Sequence, residues 1–240
     1  MCGRFSQAYS WEEIVAFSQP LTVPADRSNL QPRYNIAPTT EVDIIIRDQD
    51  GNRVLKKARW GLIPGWWKKK ANESGATFNA RIETVDSSAM FRSAYVKRRC
   101  IIPASGFYEW TGEKGDKTPH FINAADGGLL GFAGLWEAWT NPDTGEEIST
   151  CTIITRDANK WMSEIHNRMP ATLLPRDFEA WLDGSGGKEL LMQPPQELRE
   201  WIVSQRMNKT GVGDDDPATA EPAPLKAPEE PGAPFKETLF

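Results

Sequence analysis

Six runs, VDIIIR, RVLKKARW, CIIPASGFYEW, PHFIN, LLGFAGLWEAW and EISTCTIIT, are dense in β-branched and aromatic residues, and DQDG, GEKGD, ADGG and NPDTG lie between or beside them. Short apolar runs bounded by Gly, Asp and Pro read as successive antiparallel strands joined by hairpins. Ser10-Trp11-Glu12-Glu13 fits a capping box, which predicts a short helix through about Phe17. Further helices are predicted over 157–165, 176–182 and 195–204, each with an acidic or proline start. The fold class is therefore α+β: one domain over residues 1–210, built on a curved, largely antiparallel sheet or barrel with helices at its edges.

From Gly211 to residue 240 the composition shifts to Pro, Ala and acids, which cannot bury enough apolar surface to offset ordering entropy, so a disordered acidic tail is expected there. That tail holds seven acids against two lysines, which accounts for the whole formal charge of −5 and leaves the body neutral. The body is uneven, because 56–110 carries eleven Lys and Arg against four acids. Such a strip is either a solvated face or an anion-binding surface.

Cys2, Cys100 and Cys151 are an odd number without framework spacing, and no signal peptide or membrane-length apolar run accompanies them. A reducing, cytoplasmic setting fits. Cys100 and Cys151 lie in β-branched runs, where a small buried hydrophobe is the natural role. With only His120 and His166 and no CxxC, neither a metal nor a cofactor is expected.

Four places could carry chemistry. Loss of Met1 would make Cys2 the first residue, with an amine and a thiol on adjacent carbons, each partly reactive at neutral pH. In FNARIET, Asn79 and Arg81 share a face if the run is extended. Glu109 in GFYEW is a carboxyl among Phe107, Tyr108 and Trp110: either an outward strand residue, or a group whose raised pKa suits it to proton exchange. His166 in HNRMP sits at the end of an element, beside Arg168, whereas His120 looks ordinary in its hairpin strand. In PGWWKKK, Trp66 and Trp67 precede three lysines. That pattern is either half-buried core or a platform where bases stack and phosphates meet ammonium groups.

Taken in order, MCGRF, RYNIAP, WGLIPGWW, FNARIET, CIIPASGFYEW and IHNRMP resemble the SRAP family, the SOS response-associated peptidases. The resemblance implies a protein that caps abasic sites in single-stranded DNA by a covalent thiazolidine at the processed N-terminal Cys. It implies Cys2 as nucleophile, Asn79 as its positioner, Glu109 as acid and base, and His166 as an aid to proton transfer. Arg4, Arg81 and Arg168 would meet DNA, Pro38 and Trp67 would wedge at the missing base, and Trp66 and Trp110 would complete the DNA-binding set. The family pattern has an Arg before Met90-Phe91, where this chain has Ala89, with Arg92 close by.

The expected partner is abasic single-stranded DNA, met by a monomer away from membranes. The enzyme reading covers Schiff-base, lyase-like chemistry and the thiol autopeptidase activity in the family's name. The alternatives are an amidohydrolase with an N-terminal Cys nucleophile, which shares only Cys-Gly, and a non-catalytic single-strand binder using the Trp and Lys strip.

Overall fold

Ser10 accepts a hydrogen bond from the Glu13 amide at 3.2 Å and the Glu13 carboxylate takes the Ser10 amide at 2.7 Å, so the capping box forms as read and starts helix α1 (Trp11–Phe17). Such a cap is worth about 1 kcal/mol. The computed structural model describes residues 2–23, 30–113 and 115–224. Its strands are β1 (Phe5–Gln7), β2 (Arg33–Ile36), β3 (Glu41–Arg47), β4 (Arg53–Trp60), β5 (Asn79–Arg81), β6 (Arg99–Ala104), β7 (Gly106–Thr111), β8 (Thr118–Ala124), β9 (Leu130–Thr140), β10 (Glu147–Asp157), β11 (Arg168–Pro170), β12 (Thr172–Leu173) and β13 (Leu198–Ile202). The other helices are α2 (Arg92–Lys97), α3 (Phe178–Leu182) and α4 (Lys188–Leu191).

Pairing in the order β10-β4-β3-β6-β9 and back to β10 closes a five-stranded barrel, with β11, β12 and β5 attached to it. A second sheet runs β13-β8-β7-β1-β2. Most pairs are antiparallel, but β4 and β5 both run parallel to β10, which the hairpin reading alone does not supply.

Alternation along the strands explains the layers. Ile44, Ala58, Cys100, Ile102, Phe132, Cys151 and Ile153 form one buried cluster with Phe5, Ile36 and Phe107 of the second sheet. Their neighbours Ile45, Ile101, Ala133, Leu135 and Ile154 face a different cluster with Ile14, Phe178 and Trp181. Cys100 and Cys151 are fully buried, as their runs suggested. CIIPASGFYEW proves to be two strands in two different sheets, broken at Ser105. Gly106 allows the break, since a Cβ there would lie 2.3 Å from the Phe121 ring.

Two helix expectations are corrected. The helix expected over 195–204 is instead edge strand β13, in which Leu198 to Ile202 pair with Ala124 to His120 of β8. Residues 157–165 contain only a 3-10 turn at Met162–Glu164, because Asp157 is already committed to β10. The helix expected over 176–182 forms, as a 3-10 turn (Pro175–Asp177) running into the short α3, while α2 was not anticipated.

The tail boundary at 211 also moves, because residues 211–224 pack on the body. Asp214 accepts from the Tyr34 and Asn35 amides, Ala223 donates to Ile202 at 2.8 Å and Thr219 is buried. This segment therefore reaches both edge strands of the second sheet. Composition forecast unfavourable ordering, but three backbone-directed hydrogen bonds and the Arg33 ion pair at 2.8 Å offset it. Residues 225–240 lie outside the described residues. Among the described residues no helix is long and apolar enough to cross a membrane.

Candidate active site

Strand β1 pairs antiparallel with β7 through Phe5 and Phe107, and the Tyr108 amide donates to the Arg4 carbonyl at 3.0 Å. That register carries residues 2–4 alongside Glu109. On the other side, β5 lies parallel to β10, and Asn79 at its first position donates through Nδ2 to the Cys2 carbonyl at 2.7 Å. Asn79 Oδ1 is buried without a hydrogen-bond partner among the described residues. The edge is stiffened by Trp60, whose indole donates to the Phe78 carbonyl at 2.8 Å and packs edge-on against Phe5 and Phe78.

Cys2 is fully buried, and its Sγ lies 3.7 Å from the Arg4 carbonyl. Burial pushes the thiol well above its ordinary pKa, and the negative charge of Glu109 adds to the effect. The sulfur is therefore a thiol at neutral pH.

Glu109 is 3% exposed, and burial raises its carboxyl to about 7. Its apolar surroundings differ from the reading of GFYEW. Alternation puts Phe107 in the barrel-side cluster with Cys2, whereas Tyr108 and Trp110 belong to a cluster with Phe121, Val203 and Met207 on the opposite face. Residues distant in sequence, not its two neighbours, keep Glu109 from water.

His166 follows the 3-10 turn, with its amide bonded to the Met162 carbonyl at 2.9 Å, and its Nε2 is 4.0 Å from Glu109 Oε2. The Arg168 amide donates to His166 Nδ1 at 3.0 Å, and the Arg168 carbonyl lies 3.2 Å from the same nitrogen. An amide hydrogen is fixed on its nitrogen and cannot point at a second hydrogen, so Nδ1 is the acceptor and the neutral ring carries its proton on Nε2. Burial lowers the pKa of this imidazole. His120, by contrast, is held between Glu200 at 3.0 Å and Thr111 at 2.9 Å.

Cys2, Asn79, Glu109 and His166 thus converge from four separate segments. The positions read as DNA contacts divide. Arg81 is exposed at the end of β5, two residues beyond Asn79. Trp66 is 53% exposed on the loop after β4, next to Lys68, Lys69 and Lys70, while Trp67 is half-buried and receives the Trp139 indole proton at its carbonyl. Pro38 opens a tight turn in which Thr39 takes φ +75°, and that turn is bonded on both sides to Trp60. A β-branched residue in the left-handed region is strained, and over-determined surroundings hold it there.

Three others already have partners within the protein. The Arg4 guanidinium is buried and donates to Asn35 Oδ1, to the carbonyls of Met207 and Lys209, and to Thr210 Oγ1. Arg168 is buried and bonded to Glu83, Asp157 and the Thr155 carbonyl. Trp110 lies on the face away from Glu109 and donates to Asn208 at 2.7 Å. In both arginines the Nη donors are spent inside the protein, which leaves little for a phosphate, while Arg168 Nε is buried without a partner among the described residues. Arg92 is exposed at the first turn of α2, with Ala89 preceding it. Sequence reasoning missed the roles of Glu83 and Asp157. Glu83 stood within FNARIET, but an acid there says nothing of its partner until β10 and β11 are brought together.

The family model for SOS response associated peptidases (SRAP) matches residues 1–210. The protein named abasic site processing protein YoqW of Bacillus subtilis is 40% identical over 216 residues, covering 87% of this chain and 94% of that one. The abasic site processing protein HMCES of Gallus gallus is 32% identical over 233 residues, covering 83% of this chain and 69% of its own length. A crystal structure of a protein from Bacteroides thetaiotaomicron superposes with a TM-score of 0.79 at 28% identity, covering 92% of this chain and all of that one.

Proposed function

The chain belongs to the SOS response associated peptidase (SRAP) family, and from that premise we propose that it processes abasic sites in single-stranded DNA by forming a thiazolidine crosslink through Cys2 once Met1 has been removed. The observation that carries this reading is the placement of Glu109, a carboxyl raised to about 7, 4.0 Å from His166 and beside a Cys2 whose carbonyl is gripped by Asn79. A carboxyl half protonated near neutrality can give a proton and take it back.

An abasic deoxyribose is mostly a closed hemiacetal. Opening it transfers a proton to the ring oxygen as the bond from that oxygen to C1′ breaks, and the C1′ hydroxyl gives up its proton to become the aldehyde. Glu109 supplies the first proton and receives the second, with His166 Nε2–H as a further donor at the sugar. The Cys2 amine then adds to the aldehyde carbon, and loss of one water leaves the imine. The thiol adds to the imine carbon, its proton passes to the nitrogen by way of Glu109, and the five-membered ring is complete. A buried thiol suits this sequence, since the adjacent imine is a strong electrophile and a standing thiolate is unnecessary. The same burial weighs against the thiol autopeptidase and amidohydrolase readings, which call for an activated sulfur.

Asn79 Oδ1, buried and lacking a partner among the described residues, is suited to accept from the amine of the processed terminus. Trp66, Trp67 and the Pro38 turn supply stacking and wedging surface, while Arg81 and Lys68 to Lys70 supply phosphate contacts. Arg4 and Arg168, whose Nη donors go to internal partners, act by holding the surrounding segments together and not as phosphate contacts.

Mixing the protein with single-stranded DNA bearing one abasic site should give a band that survives a denaturing gel. The Cys2→Ala variant should give none while still retarding the DNA on a native gel. A heat-stable adduct in that variant would overturn the proposal. Mass spectrometry of the reacting protein should show Met1 absent.

A further inference from the structure

Glu83 is absent from the reaction just described, yet it ties together two of the segments that build the site. It lies four residues beyond Asn79, just past β5, where the Ile82 amide is bonded to the Thr155 carbonyl of β10 at 2.9 Å. Its carboxylate meets Arg168 as a fork, with Oε1 at 2.7 Å from Nη1 and Oε2 at 3.1 Å from Nη2. Arg168 is the residue whose backbone amide donates to His166 Nδ1 at 3.0 Å.

The guanidinium has other anchors. Asp157 is 2.5 Å away and the Thr155 carbonyl 2.7 Å away. These belong to β10, which already pairs with β11 through Asp157 and Arg168, so they hold Arg168 to its own sheet. Among the hydrogen bonds of the Arg168 side chain to described residues, only the two to Glu83 reach the segment carrying Asn79. A planar, two-bonded contact also fixes orientation, which a single bond does not.

We propose that Glu83 is a positioning residue: by holding Arg168 against the Asn79 segment it keeps the Arg168 amide on His166 Nδ1, and so keeps the imidazole proton on Nε2, the nitrogen that faces Glu109. The role in catalysis rests on the reading of the reaction above, whereas the role in setting the tautomer does not. If the fork opens, Arg168 can move relative to the ring, and Nδ1–H can form instead and donate to the Arg168 carbonyl 3.2 Å away. The ring would then present a lone pair to Glu109, and the donor at the sugar would be lost.

The Glu83 side chain is 46% exposed, so Glu83→Gln leaves no cavity, and the guanidinium keeps Asp157 and the Thr155 carbonyl. The test pairs two measurements on the full chain. One is the ¹⁵N shifts of His166, which separate the tautomers without any reaction. The other is single-turnover crosslinking to abasic single-stranded DNA, run beside a binding titration on intact DNA. Glu83→Gln should convert a ring protonated at Nε2 into a mixture, and should slow crosslinking roughly tenfold, short of the hundredfold that a 1 Å misplacement can cost. DNA affinity should stay unchanged.

Asp157→Asn, which leaves the fork intact, should leave the His166 shifts as in wild type. If Glu83→Gln leaves the His166 shifts unaltered, the inference is overturned, whatever happens to the rate. A drop in DNA affinity with an unaltered tautomer would likewise overturn it and make Glu83 part of the binding surface. A wild-type chain that forms no adduct would sink the reaction, while the shifts would still decide whether Glu83 sets the ring.

Discussion

Tyr108 and Glu109 are neighbours on β7, equally buried and both polar, yet they look into opposite halves of the molecule. Tyr108 faces a polar network that is satisfied. Its hydroxyl donates to the Tyr34 carbonyl at 2.7 Å, Arg4 beside it spends its donors on Asn35, Met207, Lys209 and Thr210, and the 211–224 segment closes over the edge. Glu109 faces the barrel-side cluster, where burial outweighs every charge that favours ionisation and lifts the carboxyl to about 7. A satisfied network stabilises and orders, whereas a carboxyl held near its midpoint at neutral pH is costly to fold and useful to chemistry.

Removing the titrating group should give the largest effect. Glu109→Gln keeps the shape but cannot shuttle a proton, so crosslinking should slow by roughly 10² to 10⁴ while binding to intact DNA changes little. Crosslinking at the wild-type rate would make Glu109 a strand residue and move the proton donor to His166.

Stability against pH comes next. Glu109 titrates near 7 in the folded chain against an ordinary 4.5, so the native state binds more protons between those values and stability falls as pH rises through them. A shift of that size corresponds to a loss on the order of 3 kcal/mol across the window. The Glu109→Gln variant should lack this decline in urea titrations at pH 5 and pH 8, and equal slopes in the two proteins would mean that burial does not hold the carboxyl.

The opposite face should respond in stability and not in chemistry. Arg4→Ala leaves several buried acceptors unmet and should cost about 3 kcal/mol in urea unfolding. Asp214→Ala, which removes a partly exposed ion pair and the bond to the Asn35 amide, should cost about 1 kcal/mol.

The smallest effect separates two arginines. Arg81→Ala should leave stability unchanged and make the dependence of log affinity on log salt shallower by about 0.7, the value of one phosphate contact on a single strand. Arg168→Ala should instead lower the melting temperature. If the two variants trade these outcomes, the division between the surface and buried arginines is wrong.

Much of the fold was legible because its signals are local. The Ser10 to Glu13 cap and the burial of Cys100 and Cys151 need only neighbouring residues to be recognised and stand as read; the strand runs form strands, but CIIPASGFYEW divides between two sheets and two pairings are parallel. The helix expected over 195–204 failed where a local signal met a non-local one: a proline start suits a helix, but the free edge of β8 recruits LREWI as a strand. The 211–224 segment departs from its reading in the same way, since its composition argues for a solvated chain and its partners are two edge strands, β2 far back in the chain and β13 nearby, that only the fold sets on either side of it.

Within the candidate site, residue identities and partnerships had different origins. The sequence offered Cys2, Asn79, Glu109 and His166 as candidates, and their suggested chemistry came from the family resemblance that six motifs carry in order. What buries Glu109, which nitrogen of His166 holds the proton, and whether an arginine faces water or a carboxylate were decided only by the tertiary structure. Each of those depends on desolvation and on partners brought within about 3 to 4 Å by strands far apart in the chain. Residue type limits what a side chain can donate or accept; packing determines which of those possibilities are already used.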